Sequence, residues 1–158
     1  LALELFKSMA GVNIMRIAYK GGGAALTGLL ANEVQLMVTD ASLALTHTKA
    51  GRARALAVTS AEPSALAPGL PTVTASGLPG YESEGLTAVF APARTPVAFV
   101  NRLNQEIVRV VKRADVKDLF FSAGGETVGS SPGQLAAIIK SDIARMSKVI
   151  KDAGIKVE

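Results

Sequence analysis

The run VQLMVTD, residues 34–40, is apolar at nearly every position before it closes on Asp40. A strand with one wet face alternates apolar and polar residues. A nearly continuous apolar run belongs to a strand covered on both faces, as in parallel sheets flanked by helices. NIMRIAYK, 13–20, alternates Ile and Met with polar positions and reads as a second strand, and RARALAVTS, 52–60, as a third. Short segments with helical spacing separate them. Residues 24–32 place Leu26, Leu29 and Leu30 on one side, and 41–50 run up to Gly51. The first half therefore predicts β-α-β-α-β, an α/β fold with a parallel sheet and right-handed crossovers.

The ends carry further helices. Residues 2–10 predict a helix stopped by Gly11, a residue type that closes helices at its C-terminal side. Residues 61–80 hold four of the seven prolines and predict an irregular connection with one helical turn near Thr72–Ser76, the best domain boundary in the chain. GLTAVFAPA, 85–93, reads as a strand. Thr95-Pro96 opens a helix whose expected buried stripe is Val100, Leu103, Ile107 and Val111. Asp115 is expected to cap a short helix ending near Gly124, and a brief strand is expected near Glu126–Val128. Ser131 and Gln134 then form a capping box around Pro132, and Leu135, Ile139, Ile143, Met146 and Ile150 make the stripe of a long last helix.

Composition removes several function classes. With 49% apolar residues a buried core is within reach. Aromatics are 4% and tryptophan is absent, which argues against base-stacking surfaces. The net charge of +4 is spread along helix faces. Its densest cluster, Arg109, Lys112 and Arg113, reads as solvated surface, and no nucleic-acid partner is expected. The absence of cysteine excludes disulfides and thiolate chemistry. His47 is the single histidine and has no second ligand for a metal. Ser42, Ser60 and Ser64 lack a nucleophile-elbow setting, and Asp40 has no partner acid or lysine nearby in sequence. No catalytic constellation and no cofactor site is expected. The chain starts at Leu1, already in a helix-like segment, with no visible signal peptide, and reads as a piece of a longer one.

The remaining feature is the glycine run between the first strand and its helix. Lys20 precedes Gly21, Gly22 and Gly23, and Ala24 and Ala25 follow. The spacing is neither a Walker phosphate loop nor a dinucleotide fingerprint. What remains is a helix N-terminus with free backbone N–H groups, partial positive charge and no Cβ in the way of a ligand. Such a terminus can hold a carboxylate without a cationic side chain, and it can equally be a turn. Thr39 and Asp40 end the next parallel strand. Because ligands of open α/β sheets sit at the carboxyl ends of strands, both features are expected to face one crevice.

Taken together, YKGGGAALTGLLANEVQLMVTD, GRARALAVTSAEPSALAPGLPTVTASGLPGYE and FAPARTPVAFVNRLNQEI resemble the extracytoplasmic solute receptors of tripartite tricarboxylate transporters, the Bug receptors. The likeness covers essentially the whole chain. It implies a type II periplasmic-binding-protein-like fold of two α/β lobes around a cleft. It also implies capture of a small carboxylate, delivery to membrane transporter subunits, a periplasmic location and no enzymatic activity. Residues Lys20 to Ala25, with Thr39 and Asp40, would line the cleft. Family receptors are about twice as long, so the chain is expected to be their C-terminal half. On that view residues 1–84 are most of the second lobe. Residues 85–158 are the crossing strand and the C-terminal helices that belong to the first. Leu86, Ala88 and Arg94 stand where the family usually has tryptophan, glycine and glycine. The alternative is a truncated paralogue that no longer binds ligand and acts by self-association. In either case helix stripes without a covering sheet lead to the expectation of a homo-oligomer.

Overall fold

The computed structural model describes residues 1–152 together with Gly154 and Ile155. Among them are six helices: α1 (Ala2–Ala10), α2 (Gly22–Leu30), α3 (Ala41–Lys49), α4 (Val97–Val111), α5 (Ala114–Ser122) and α6 (Pro132–Asp152). They fall into two compact units. One comprises Leu1–Gly85 with the described residues from Val149 onward, and the other Leu86–Lys148.

In the first unit, α1 ends as its sequence dictates. Gly11 takes φ 64° and its N–H bonds to the Lys7 carbonyl. Glu4 in the first turn and Lys7 in the last complement the helix dipole. The Glu4 side chain is nearly buried, and Lys7 at 3.0 Å and Arg16 at 3.5 Å neutralise it. Removing both cations would leave a poorly solvated carboxylate unpaired, which is the costly way to break such a group. Leu5 is buried on the same helix, and Phe6 meets the Tyr81 ring edge-on with centroids 6.0 Å apart. Tyr81 is 1% exposed and its hydroxyl donates to the Ala2 carbonyl at 3.1 Å.

The proline-rich connection is ordered by its own polar groups. Val58 N–H bonds to the Pro71 carbonyl at 2.9 Å and Val73 N–H to the Val58 carbonyl at 3.0 Å, a parallel bridge between Val58 and Thr72. Thr72 is buried, and its Oγ1 accepts the Ala75 N–H. The Ser76 hydroxyl donates to the Thr72 carbonyl and the Thr74 hydroxyl to that of Tyr81.

That bridge is all that stands, among the described residues, for the expected parallel-rich sheet. The segments 13–20, 34–40 and 52–60 do carry the connections between helices, but no ladder joins them. Met15 is 81% exposed, and Ile17, Leu36, Val38 and Leu56 are also open. Residues 85–93 and 126–128 likewise form no strand. Apolar patterning selects a segment for burial in a sheet. A ladder also needs a neighbouring backbone in register, which patterning does not supply.

In the second unit, Pro96 is the N-cap of α4 rather than a residue of its first turn, and its carbonyl accepts the N–H groups of Phe99 and Val100. Val100, Asn104, Val108 and Val111 are the half-buried side of α4. Asn104 Nδ2 donates to the Ser130 carbonyl at 2.9 Å. Gly129, at φ 68°, lets the loop lie so close that a Cβ would stand 3.2 Å from Val111 Cγ2. Leu103 and Ile107, expected on the buried stripe, are instead exposed, with Phe99 and Val110 in the same row. Asp115 lies inside α5, paired with the N-cap residue Arg113 at 2.7 Å. That guanidinium holds the Asp115 carboxyl below its usual range. The capping box of α6 forms: Ser131 N–H bonds to Gln134 Oε1 at 2.9 Å and Gln134 N–H to Ser131 Oγ at 3.2 Å. Along α6, Leu135, Ile139, Met146 and Ile150 are half-buried as expected, while Ile143 is 61% exposed.

Candidate functional site

Two helix N-termini meet in the first unit. Gly21, the N-cap of α2, has φ 96° and ψ 169°, a backbone region open in practice only to glycine. Its N–H bonds to the Tyr19 carbonyl at 2.9 Å and its own carbonyl accepts Ala25 N–H at 3.2 Å. The N–H groups of Gly22, Gly23 and Ala24 have no partner among the described residues, and all three residues are exposed. Ala25, expected to donate with them, spends its N–H inside the helix. Asp40 is the N-cap of α3 in an extended conformation, and its carbonyl accepts Leu43 N–H at 3.1 Å and Ala44 N–H at 3.3 Å. Ala41 and Ser42 N–H groups have no partner among the described residues.

The two termini are neighbours. A Cβ at Gly22 would lie 3.0 Å from Leu43 Cδ2 and 3.9 Å from Thr39 Oγ1. A Cβ at Gly85 would lie 3.6 Å from Asp40 Oδ1, so the chain also returns past this point. Gly22, Thr39, Asp40 and the start of α3 are thus brought together, with Gly85 beside them. Sequence reading had no signal for Gly85. Asp40 is exposed and its side chain makes no capping bond. Although it follows the apolar run 34–38, the Asp40 carboxylate is therefore open to solvent and needs no protein partner. Lys20 is exposed at the edge of the turn.

The arrangement has a defined chemistry. Five unsatisfied N–H groups at two helix starts present partial positive charge, and each terminus stabilises an anion by roughly 0.3–1 kcal/mol at an exposed site. The Thr39 hydroxyl adds a donor, and Asp40 adds an acceptor that attracts a hydroxyl or ammonium. Tyr19, just before the turn, rests on α2 at Gly28 and bonds to Glu33, a contact between side chains that no local pattern announces. His47 Nδ1 lies 2.8 Å from the Arg52 guanidinium. No cluster of three or more potential metal ligands occurs among the described residues.

Residues 1–155 match the family model described as tripartite tricarboxylate transporter family receptor. Protein BugT of Bordetella pertussis is 31% identical over 158 residues, which is 100% of this chain and 48% of that protein. The solved structure of Rpa4515 of R. palustris with adipate aligns with TM-score 0.83 and 34% identity over 97% of this chain and 51% of that one. MatC of Rhodopseudomonas palustris with bound malate aligns with TM-score 0.69 and 25% identity, over 94% of this chain and 52% of that one. The chain spans about half the length of these relatives.

Proposed function

The chain belongs to the tripartite tricarboxylate transporter receptor family, and from that premise we propose that it cradles a small carboxylate for a tripartite membrane transporter. The observation that carries the reading is the meeting of two helix N-termini at Gly22 and Thr39, with free N–H groups on both. In this reading one ligand carboxylate accepts from Gly22, Gly23 and Ala24. Thr39 donates beside them, Lys20 strengthens the local field, and Asp40 selects among carboxylates by accepting from a ligand hydroxyl or ammonium. The protein releases its ligand unchanged to transporter subunits. The periplasm is the compartment this role requires. Among the described residues no helix is long and apolar enough to cross a membrane.

The chain is a receptor half in this proposal. Residues 1–84 supply the second lobe and 85–158 the part that returns to the first. The unpaired segments 13–20 and 34–40 are then strands of a parallel sheet completed in the longer receptor. Calorimetric titration of the 158-residue chain with adipate and malate tests the binding claim. Saturable binding of at least one is expected. Absence of heat and of any chemical-shift change at Gly22–Ala24 with both would overturn it.

A second reading has its own support. Phe99, Leu103, Ile107 and Val110 form an exposed apolar row on α4. A chain that leaves such a row open associates with something, and in isolation the partner at hand is a second copy. Self-association without ligand binding is the alternative role.

A further inference from the structure

Gly28 is buried in the second half of α2, where glycine is a poorer choice than alanine for the helix itself. Its neighbourhood gives the reason. A Cβ at position 28 would stand 2.4 Å from the Tyr19 hydroxyl oxygen, 2.7 Å from Cζ and 3.1 Å from Cε1. Real Cβ atoms do not approach other atoms so closely, so the ring occupies space that only glycine leaves open. The same hydroxyl donates to Glu33 Oε2 at 3.2 Å. Glu33 in turn is fastened to the helix end, its N–H bonded to the Gly28 carbonyl at 2.9 Å. Desolvation and the Glu33 carboxylate both raise the Tyr19 pKa above its ordinary value, so the phenol keeps its proton for this bond.

The connectivity gives the contact its consequence. Tyr19 is separated from the N-cap by Lys20 alone, and its carbonyl already accepts the Gly21 N–H. Its side chain is held at the far end of the helix that the turn opens. A Cβ built at Gly21 or at Gly23 would meet nothing within 4 Å, so the turn has little side-chain packing of its own apart from Gly22 against Leu43. We propose that Tyr19, seated in the notch left by Gly28 and tied to Glu33, is a positioning residue that fixes the glycine turn and so aims the Gly22, Gly23 and Ala24 N–H groups. The effect on ligand affinity rests on the carboxylate reading above. The ordering of the turn does not.

The test uses the 158-residue chain, labelled with nitrogen-15, and the variants Gly28→Ala, Tyr19→Ala, Tyr19→Phe and the double variant Tyr19→Ala/Gly28→Ala. Backbone order parameters are measured without ligand. Wild type should show rigid values, about 0.85, at Gly21–Ala24, and Gly28→Ala and Tyr19→Ala should drop them toward 0.6 or below. Tyr19→Phe keeps the ring in its notch and should retain most of the order. The double variant should be no worse than Tyr19→Ala, because alanine at 28 has nothing to displace once the ring is gone. Gly28→Ala favours the helix, so a merely structural role predicts unchanged or higher order at the turn. That result would overturn the proposal, as would an equal loss along α1, which does not pack on α2 and would signal general loosening. Adipate and malate titrations form the second arm. If wild type binds and Gly28→Ala binds more weakly by tenfold or more, the positioning role is supported. Equal affinity refutes its consequence for binding. If wild type binds neither, the carboxylate reading fails, and the order parameters still decide whether Tyr19 sets the turn.

Discussion

The Tyr81 hydroxyl donates to the carbonyl of Ala2, which lies 79 residues earlier in the chain. This bond and the edge-on contact with Phe6 join the first helix to the end of the proline-rich connection. Tyr81 is the largest fully buried side chain described, so the first unit closes around it. Tyr81→Ala should cost about 3–5 kcal/mol, the range for truncating a buried aromatic. Tyr81→Phe removes only the hydroxyl and should cost about 1 kcal/mol. Urea unfolding of both variants against wild type checks the order.

The same residue sets a pH dependence. Burial raises the Tyr81 phenol above its ordinary value of 10.0. The folded state therefore favours the protonated form. Its contribution is fully present below the unfolded value near 10.0 and is lost as pH rises from there through the folded value. Wild type should lose stability on the alkaline side, and Tyr81→Phe should lose less over the same interval. Urea midpoints measured on both sides of that value provide the check.

The glycine run separates three roles. Gly21→Ala forces a side chain into φ 96° and should cost about 1–3 kcal/mol in stability. Gly22→Val drives a branched side chain into Leu43, already 3.0 Å from a bare Cβ. It should part α2 from α3 and weaken carboxylate binding at least about tenfold, or about 1.4 kcal/mol. A Cβ at Gly23 meets nothing within 4 Å, so Gly23→Ala should leave stability within about 0.5 kcal/mol. Thermal melts and calorimetric titrations distinguish the three.

Asp40→Ala should alter selectivity and little else. The side chain is exposed and caps nothing, so stability should stay within about 0.5 kcal/mol. Malate carries a hydroxyl that adipate lacks. Affinity for malate should fall relative to adipate by roughly tenfold or more, the loss of a charge-assisted hydrogen bond of about 1.5–3 kcal/mol, since the relief of repulsion is common to both dicarboxylates. An unchanged ratio of the two affinities would remove Asp40 from the binding site.

Self-association is checked by light scattering. The exposed row Phe99, Leu103, Ile107 and Val110 should give a dimer or larger species at micromolar concentration. Leu103→Lys with Ile107→Lys should shift the chain toward monomer without lowering its melting temperature. A clean wild-type monomer that binds no apolar dye would discard the second reading.

What the residues determined by themselves is local. Gly11 closes α1 because its left-handed backbone is cheap only for glycine, and Ser131 with Gln134 opens α6 because each side chain reaches a nearby N–H. Lys20 to Ala24 could be read as a helix start for the same reason: a glycine turn and the free donors beyond it involve only neighbours in the chain. The quoted motifs, read together, carried the family. Tertiary structure decided the rest. Apolar residues at 34–40 announced burial in a sheet, yet a ladder requires a second backbone in register, and among the described residues the single pairing is the bridge between Val58 and Thr72. Val100 and Leu103 both fit the expected stripe of α4, and the loop at Gly129 and Ser130 determined which was covered. Asp40 beside Gly85, and Tyr19 in the space left by Gly28, are contacts between residues whose neighbourhood is set by how the chain returns on itself. Helix ends obey short-range hydrogen bonding and backbone sterics. Pairing, burial and side-chain notches depend on elements far apart in the chain.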